Sequence, residues 1–147
     1  MRWHLLSNHN GHQNYELLKN EEKIATLQYD INLQALRLNA YGYQRVFFLR
    51  KEGMLRQKNV LRNEYGFKIG QFVLAADGKK GMIELDEEKF LFTYKQNMEE
   101  MELVKAGDGK NIFSFTVSRQ ISQFTVAVLA IISAKYVLVT TNVTSII

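Results

Sequence analysis

The sequence predicts a mainly β domain, a closed or nearly closed antiparallel β-barrel of about 10–12 strands around a C-terminal hydrophobic helix. Three observations lead there. Turn-forming clusters recur at residues 8–11, 20–21, 30–32, 39–42, 52–53, 63–66, 77–78, 86–88, 96–97 and 107–109, the regular spacing of a meander. The segments between them alternate apolar and polar side chains at period two. A nearly charge-free stretch, residues 120–134, then closes more than a hundred residues of this pattern.

Taken along the chain, Leu36-Arg37-Leu38-Asn39 alternates, and so does Phe67-Lys68-Ile69, with Lys68 pointing away from its neighbours. Val46-Phe47-Phe48-Leu49 and Phe90-Leu91-Phe92 are apolar on both faces, which predicts cover on both sides. Gly107-Asp108-Gly109-Lys110 reads as a tight hairpin turn. The alternation is clearest at residues 112–117, where Phe113, Phe115 and Val117 share one face and Ser114 and Thr116 the other. About ten such strands need a common core, and rolling the sheet into a barrel supplies one while removing its edges.

From Phe124 to Ala134 every side of the chain is apolar at either period, so the segment wants burial all round. At helical spacing Ala127, Ala130 and Ala134 form a slender stripe that fits tightly inside a sheet. The β-branched content favours a strand instead, but by only a few tenths of a kcal/mol per residue, and the length of the run outweighs it. Tyr136-Val137-Leu138-Val139-Thr140 then reads as a final strand. A membrane tail anchor is the competing reading of this region. It needs about twenty apolar residues, roughly twice what the run offers before Lys135 interrupts it.

Composition bounds the chemistry. With 147 residues the chain is read as one domain, 1–147, long enough to bury a core without staples. It has no cysteine, which excludes disulfides, thiolate metal sites and cysteine nucleophiles and suits a reducing compartment. The absence of proline and the abundance of Phe and Tyr suit pleated surfaces. The start, Met1-Arg2-Trp3-His4, lacks the apolar run of a signal peptide. A cytoplasmic location is expected, peripheral to a membrane if a basic face meets lipid.

The order of elements, with Tyr65-Gly66-Phe67-Lys68-Ile69-Gly70 and Asp77-Gly78-Lys79-Lys80-Gly81-Met82-Ile83-Glu84 as its strand-glycine-strand units, resembles the tubby C-terminal-like superfamily of tubby, phospholipid scramblase and LURP-one-related proteins. The resemblance covers nearly the whole chain and implies a barrel threaded by a C-terminal helix. For tubby proteins it implies phosphoinositide head groups as ligands, and for scramblases association with membranes. No lipid-contacting residue carries over by position, and the scramblase calcium segment is not recognisable here.

Four clusters are candidates for chemistry. His4, His9 and His12 suggest a metal or acid-base cluster, but the stretch is rich in Asn and Gly, no strand or helix is expected to fix the three rings relative to one another, and no acidic residue nearby is expected to complete a ligand set. The acids Asp86, Glu87, Glu88, Glu99, Glu100 and Glu102 would hold Ca²⁺ or supply a carboxylate pair, although no twelve-residue calcium loop is present. Between residues 45 and 62 the cations Arg45, Arg50, Lys51, Arg56, Lys58 and Arg62 stand against one acid, Glu52. Beside them Tyr41, Tyr43, Phe47 and Phe48 offer stacking surfaces.

The basic run is the best binding candidate, with phosphates as its natural partner; its plain alternative is a solvated face that keeps the chain soluble. No phosphate-cradling loop, nucleophile elbow or His-Glu-X-X-His motif occurs, and no cofactor is predicted. The expected function is a non-catalytic binding or scaffold domain that meets anionic lipid head groups. Nucleic acid is the alternative partner of the same patch. An enzyme site in a barrel mouth, assembled from residues distant in sequence, is the third reading.

Overall fold

Each turn cluster becomes a connection between strands. The computed structural model describes residues 1–107, 109 and 111–138. Within them lie β1 (Arg2–His9), β2 (His12–Lys19), β3 (Glu22–Asp30), β4 (Ala35–Ala40), β5 (Tyr43–Glu52), β6 (Lys58–Asn63), β7 (Lys68–Leu74), β8 (Lys80–Leu85), β9 (Glu88–Lys95), β10 (Glu100–Lys105) and β11 (Asn111–Val117). Each strand pairs with the one before it, and β11 meets β1 to close the barrel.

Four of the turns, Asn10-Gly11, Asn20-Glu21, Tyr41-Gly42 and Asp86-Glu87, have two residues, both with positive φ between 50° and 80°. That conformation matches the right-handed twist of the flanking strands, so the short connections also curl the sheet. The tight turn read at residues 107–110 falls partly on 108 and 110, which lie outside the described residues.

An antiparallel barrel was expected, and one seam differs. Ten of the eleven pairings are antiparallel, but β1 and β11 run parallel, with Arg2 opposite Thr116 and Trp3 opposite Val117. The cause is parity: an odd number of up-and-down strands leaves the first and last pointing the same way. The Thr116 N–H donates to the Met1 carbonyl at 3.0 Å and the Ser118 N–H to the Trp3 carbonyl at 3.3 Å across this seam.

The apolar run is a helix, α1 (Gln123–Ile132), widening into a π-helical stretch, Ser133–Leu138. Ser122 caps it, its Oγ accepting from the Thr125 N–H at 3.2 Å. All residues from Thr125 to Ser133 are buried within the barrel wall. Burial on every side explains why a segment rich in Val and Ile is helical: the backbone must satisfy its own hydrogen bonds where no strand partner is at hand. Among the described residues no helix is long and apolar enough to cross a membrane.

The final strand expected at residues 136–140 is corrected. Tyr136, Val137 and Leu138 continue the helix, while 139 and 140 lie outside the described residues. Tyr136 instead stacks on Phe47, with ring centroids 5.1 Å apart.

The odd-numbered strands share one direction, giving the barrel two mouths. α1 enters at the mouth where those strands end, its Phe124 ring 5.1 Å from that of Phe72. It leaves where they begin, with Lys135 Nζ 2.6 Å from Asp86 in the β8–β9 turn. Between the two mouths the wall approaches tightly at Gly70 of β7: a Cβ there would lie 2.8 Å from Ile131 Cγ2. Trp3 reaches in from β1 and donates its indole N–H to Ser133 Oγ at 2.9 Å, both side chains fully buried.

Alternation holds where it was clearest: Leu36, Leu38, Phe115 and Val117 are buried, and Arg37, Asn39, Ser114 and Thr116 are exposed. Two expectations are corrected. Phe67 is exposed because it belongs to the β6–β7 turn, one residue before the strand that buries Ile69. Nothing covers the outer face at Leu91, which is 46% exposed; the barrel buries only Phe90 and Phe92 on either side of it.

Candidate functional site

The basic run folds into the β5–β6 hairpin and the loop that joins its strands, residues 53–57. Its register sets Glu52 opposite Lys58, Lys51 opposite Asn59, Arg50 opposite Val60 and Phe48 opposite Arg62. Gly53 opens the loop at φ 117°, where a Cβ would sit 2.4 Å from the Arg56 carbonyl oxygen, so only glycine lets the chain double back here.

The six cations are not equivalent. Arg62 forms a two-pronged pair with Glu52, Nε to Oε2 at 2.8 Å and Nη2 to Oε1 at 2.6 Å, and also donates to the Gly66 carbonyl. These bonds hold the Glu52 carboxyl below its ordinary range and raise the guanidinium of Arg62. Arg45, near the opposite mouth, donates to Glu64 Oε1 at 3.1 Å. Its pKa is raised chiefly by that bond. The Glu64 carboxyl is lowered, first by its own backbone N–H and then by those of Val46 and Arg45's guanidinium.

Arg50, Lys51, Arg56 and Lys58 are exposed, and among the described residues none has a carboxylate partner. They bracket the loop at the mouth where α1 enters. Arg50 lies over the Phe48 ring, 5.5 Å from its centroid, and donates to the Leu49 carbonyl at 2.8 Å. Lys51 lies beside a groove of about 300 Å³ whose other walls are Gln34, Leu49, Arg50, Asn59 and Phe124.

The stacking surfaces do not gather around these cations. Phe47 is fully buried against Tyr136, which corrects its assignment as a stacking residue. Phe48 is partly covered by Arg50. Tyr41 and Tyr43 belong to the other mouth, where Tyr43, Leu38, Ala40, Arg45 and Tyr136 surround a second cavity of about 230 Å³.

The loop holds a feature that the charge pattern hides. Met54 and Leu55 are 101% and 99% exposed, touching nothing in the fold. The signal was in plain sight, an apolar pair standing between a turn cluster and the next strand, where period two assigns it to neither face.

Strands do fix the histidines, contrary to the sequence reading: His4 and His9 lie in β1 and His12 in β2. Acids are also at hand, His4 Nδ1 being 3.4 Å from Glu16 and His12 Nδ1 3.9 Å from Asp30. The acidic run is dispersed. Glu99 bridges Arg2 at 2.8 Å and Arg119 at 3.3 Å, which holds its carboxyl below the ordinary range, while Asp86 takes Lys135. No group of three metal-ligating side chains forms among the described residues.

No family model, no curated protein and no solved structure matches this chain.

Proposed function

We propose that the chain is a non-catalytic binding domain whose β5–β6 end docks on anionic lipid head groups at a membrane surface, placing it on the cytoplasmic face of that membrane. One observation carries this: Arg50, Lys51, Arg56 and Lys58 crowd one mouth of the barrel, and among the described residues no carboxylate answers them. Uncompensated cations on one hairpin create a positive field that an anionic surface satisfies. The separation of Tyr43, Phe47 and Phe48 from these cations favours lipid over single-stranded nucleic acid, which needs bases stacked beside its phosphates. A barrel of short strands closed around a C-terminal helix supports kinship with the tubby C-terminal-like superfamily, which we likewise propose.

Co-sedimentation tests the reading. Vesicles rich in phosphatidylserine should bind the protein and release it as salt rises, and neutral phosphatidylcholine vesicles should not bind it. The combination Lys51→Gln, Arg56→Gln and Lys58→Gln should weaken binding about a hundredfold, at about tenfold or less per cation. Arg45→Gln should leave it unchanged, because that charge faces the other mouth and is already paired. Equal binding to neutral vesicles, or tighter binding to a single-stranded oligonucleotide than to anionic vesicles, overturns the proposal.

A further inference from the structure

We infer that Met54 and Leu55 form an apolar finger that enters the bilayer beneath the head groups, with Leu33 of the neighbouring β3–β4 turn as a second, shallower contact; this rests on the membrane reading above. Exposed apolar side chains scattered singly need no explanation. Here two adjacent aliphatic residues stand at the tip of a loop with essentially complete exposure. The chain spends a glycine with φ 117° on projecting them rather than folding them onto the wall.

Position selects the occupant. The β3–β4 turn borders β5 at the entry mouth, its Gln34 carbonyl accepting from the Leu49 N–H at 2.9 Å, three residues before β5 ends and the β5–β6 loop begins. Leu33 is 68% exposed there, held out by Asp30, whose Oδ1 accepts from the Asn32 and Leu33 N–H groups at 3.0 and 3.1 Å. Cations with no carboxylate partner among the described residues, flanking aliphatic tips on one hairpin, have the polarity of an anionic bilayer edge, phosphate outside and acyl chain within.

The other exposed apolar groups lack this arrangement. Val73, Met82 and Leu91 line up in register along the outer wall but are only 37–46% exposed. Tyr65 and Phe67 flank the exit mouth, where Arg45 and Arg62 are already paired. Insertion therefore sets an orientation, with the entry mouth and Phe124 facing the lipid and the β8–β9 turn pointing away.

The test uses the full chain and phosphatidylserine vesicles. Met54→Ser with Leu55→Ser should keep the melting temperature and the salt dependence but bind at least about tenfold more weakly, the loss expected for two aliphatic side chains kept in water. Leu55→Trp gives a direct readout, since the single native tryptophan, Trp3, is buried and contributes a constant background. Its emission should shift to the blue on binding and be quenched by brominated acyl chains. If the serine variant binds like the parent, or the introduced indole keeps its water-exposed emission on sedimented vesicles, the finger is refuted while the charge-based reading stands. If the parent chain does not bind anionic vesicles at low salt, both fall.

Discussion

Gly70 lets the wall of the barrel approach the helix closely, and changing it tests the whole arrangement. A methyl group at this position would lie 2.8 Å from Ile131 Cγ2 and 2.9 Å from Leu85 Cδ2. The nearer contact falls short of a comfortable carbon–carbon distance by about 0.7 Å. Both neighbours are buried, so relief requires the helix or Leu85 to move within a packed core. Overpacking of this kind costs about 1–3 kcal/mol, less about 0.4–1 kcal/mol returned by the smaller entropy of the unfolded chain. Gly70→Ala should therefore lower the melting temperature by a few degrees, at about 2–4 °C per kcal/mol for a domain of this size. Ile131→Ala alone should cost about 2–5 kcal/mol through the cavity it leaves. In that background the clash with Ile131 is gone and only the 2.9 Å contact with Leu85 Cδ2 remains, so Gly70→Ala should cost clearly less than it does in the parent. Thermal melts of the four proteins in the cycle, followed by circular dichroism, give the coupling directly. Equal losses in both backgrounds would refute the placement of Ile131 against β7, and with it the helix as the plug of the barrel.

Ser133→Ala should cost about 1–3 kcal/mol, because it strands the buried indole N–H of Trp3 without a partner; an unchanged denaturation midpoint and unchanged Trp3 emission would count against that bond. The pH profile of melting should be a plateau with two shoulders. Glu52, Glu64 and Glu99 have lowered carboxyl pKa values, so what they contribute is present above the ordinary value of 4.5 and is lost as pH falls through their folded values. Burial raises the phenols of Tyr15, Tyr29, Tyr94 and Tyr136, so the folded state keeps protons that the unfolded chain loses above 10.0, and stability falls from there upward. A melting temperature still climbing past the ordinary tyrosine value, or flat well below that of glutamate, contradicts these assignments.

Turn chemistry made most of the architecture legible. Asn-Gly, Asp-Gly and their neighbours mark positions where the backbone needs φ above zero, a local requirement that composition announces without reference to the rest of the fold. The helix was legible for the opposite reason: a run with no polar face at any period, and about half the length a membrane span needs, has the interior to go to. The parallel seam was not legible, because it depends on whether the strand count is odd, and a count good to one strand either way leaves that open. Nor was the end of the helix. Tyr136, Val137 and Leu138 favour strands by intrinsic preference, but continuing the helix seats Tyr136 on Phe47 and brings Lys135 to Asp86, and those contacts outweigh propensity.

The candidate site was legible in part, and the part that was hidden follows from how a hairpin redistributes charge. Reading residues 45–62 as one basic run weights six cations equally, whereas folding gives two of them partners that lie far from them in sequence: Glu52 is ten positions from Arg62, and Glu64 nineteen from Arg45. What remains for an external partner is the subset that the fold leaves without a carboxylate among the described residues, and it sits at one mouth because Arg50 and Lys51 lie at the end of β5 and Lys58 at the start of β6, whereas Arg45 lies at the start of β5. Register, rather than local charge density, decides which cations are free. The same logic makes Met54 and Leu55 informative: a fold that finds a place for nearly every other apolar residue of this hairpin, from Phe47 and Leu49 to Val60 and Leu61, leaves these two in water beside the free cations. A surface that binds by charge alone would gain nothing from them, so on the proposed reading their exposure is what distinguishes docking on a bilayer from attraction to any polyanion.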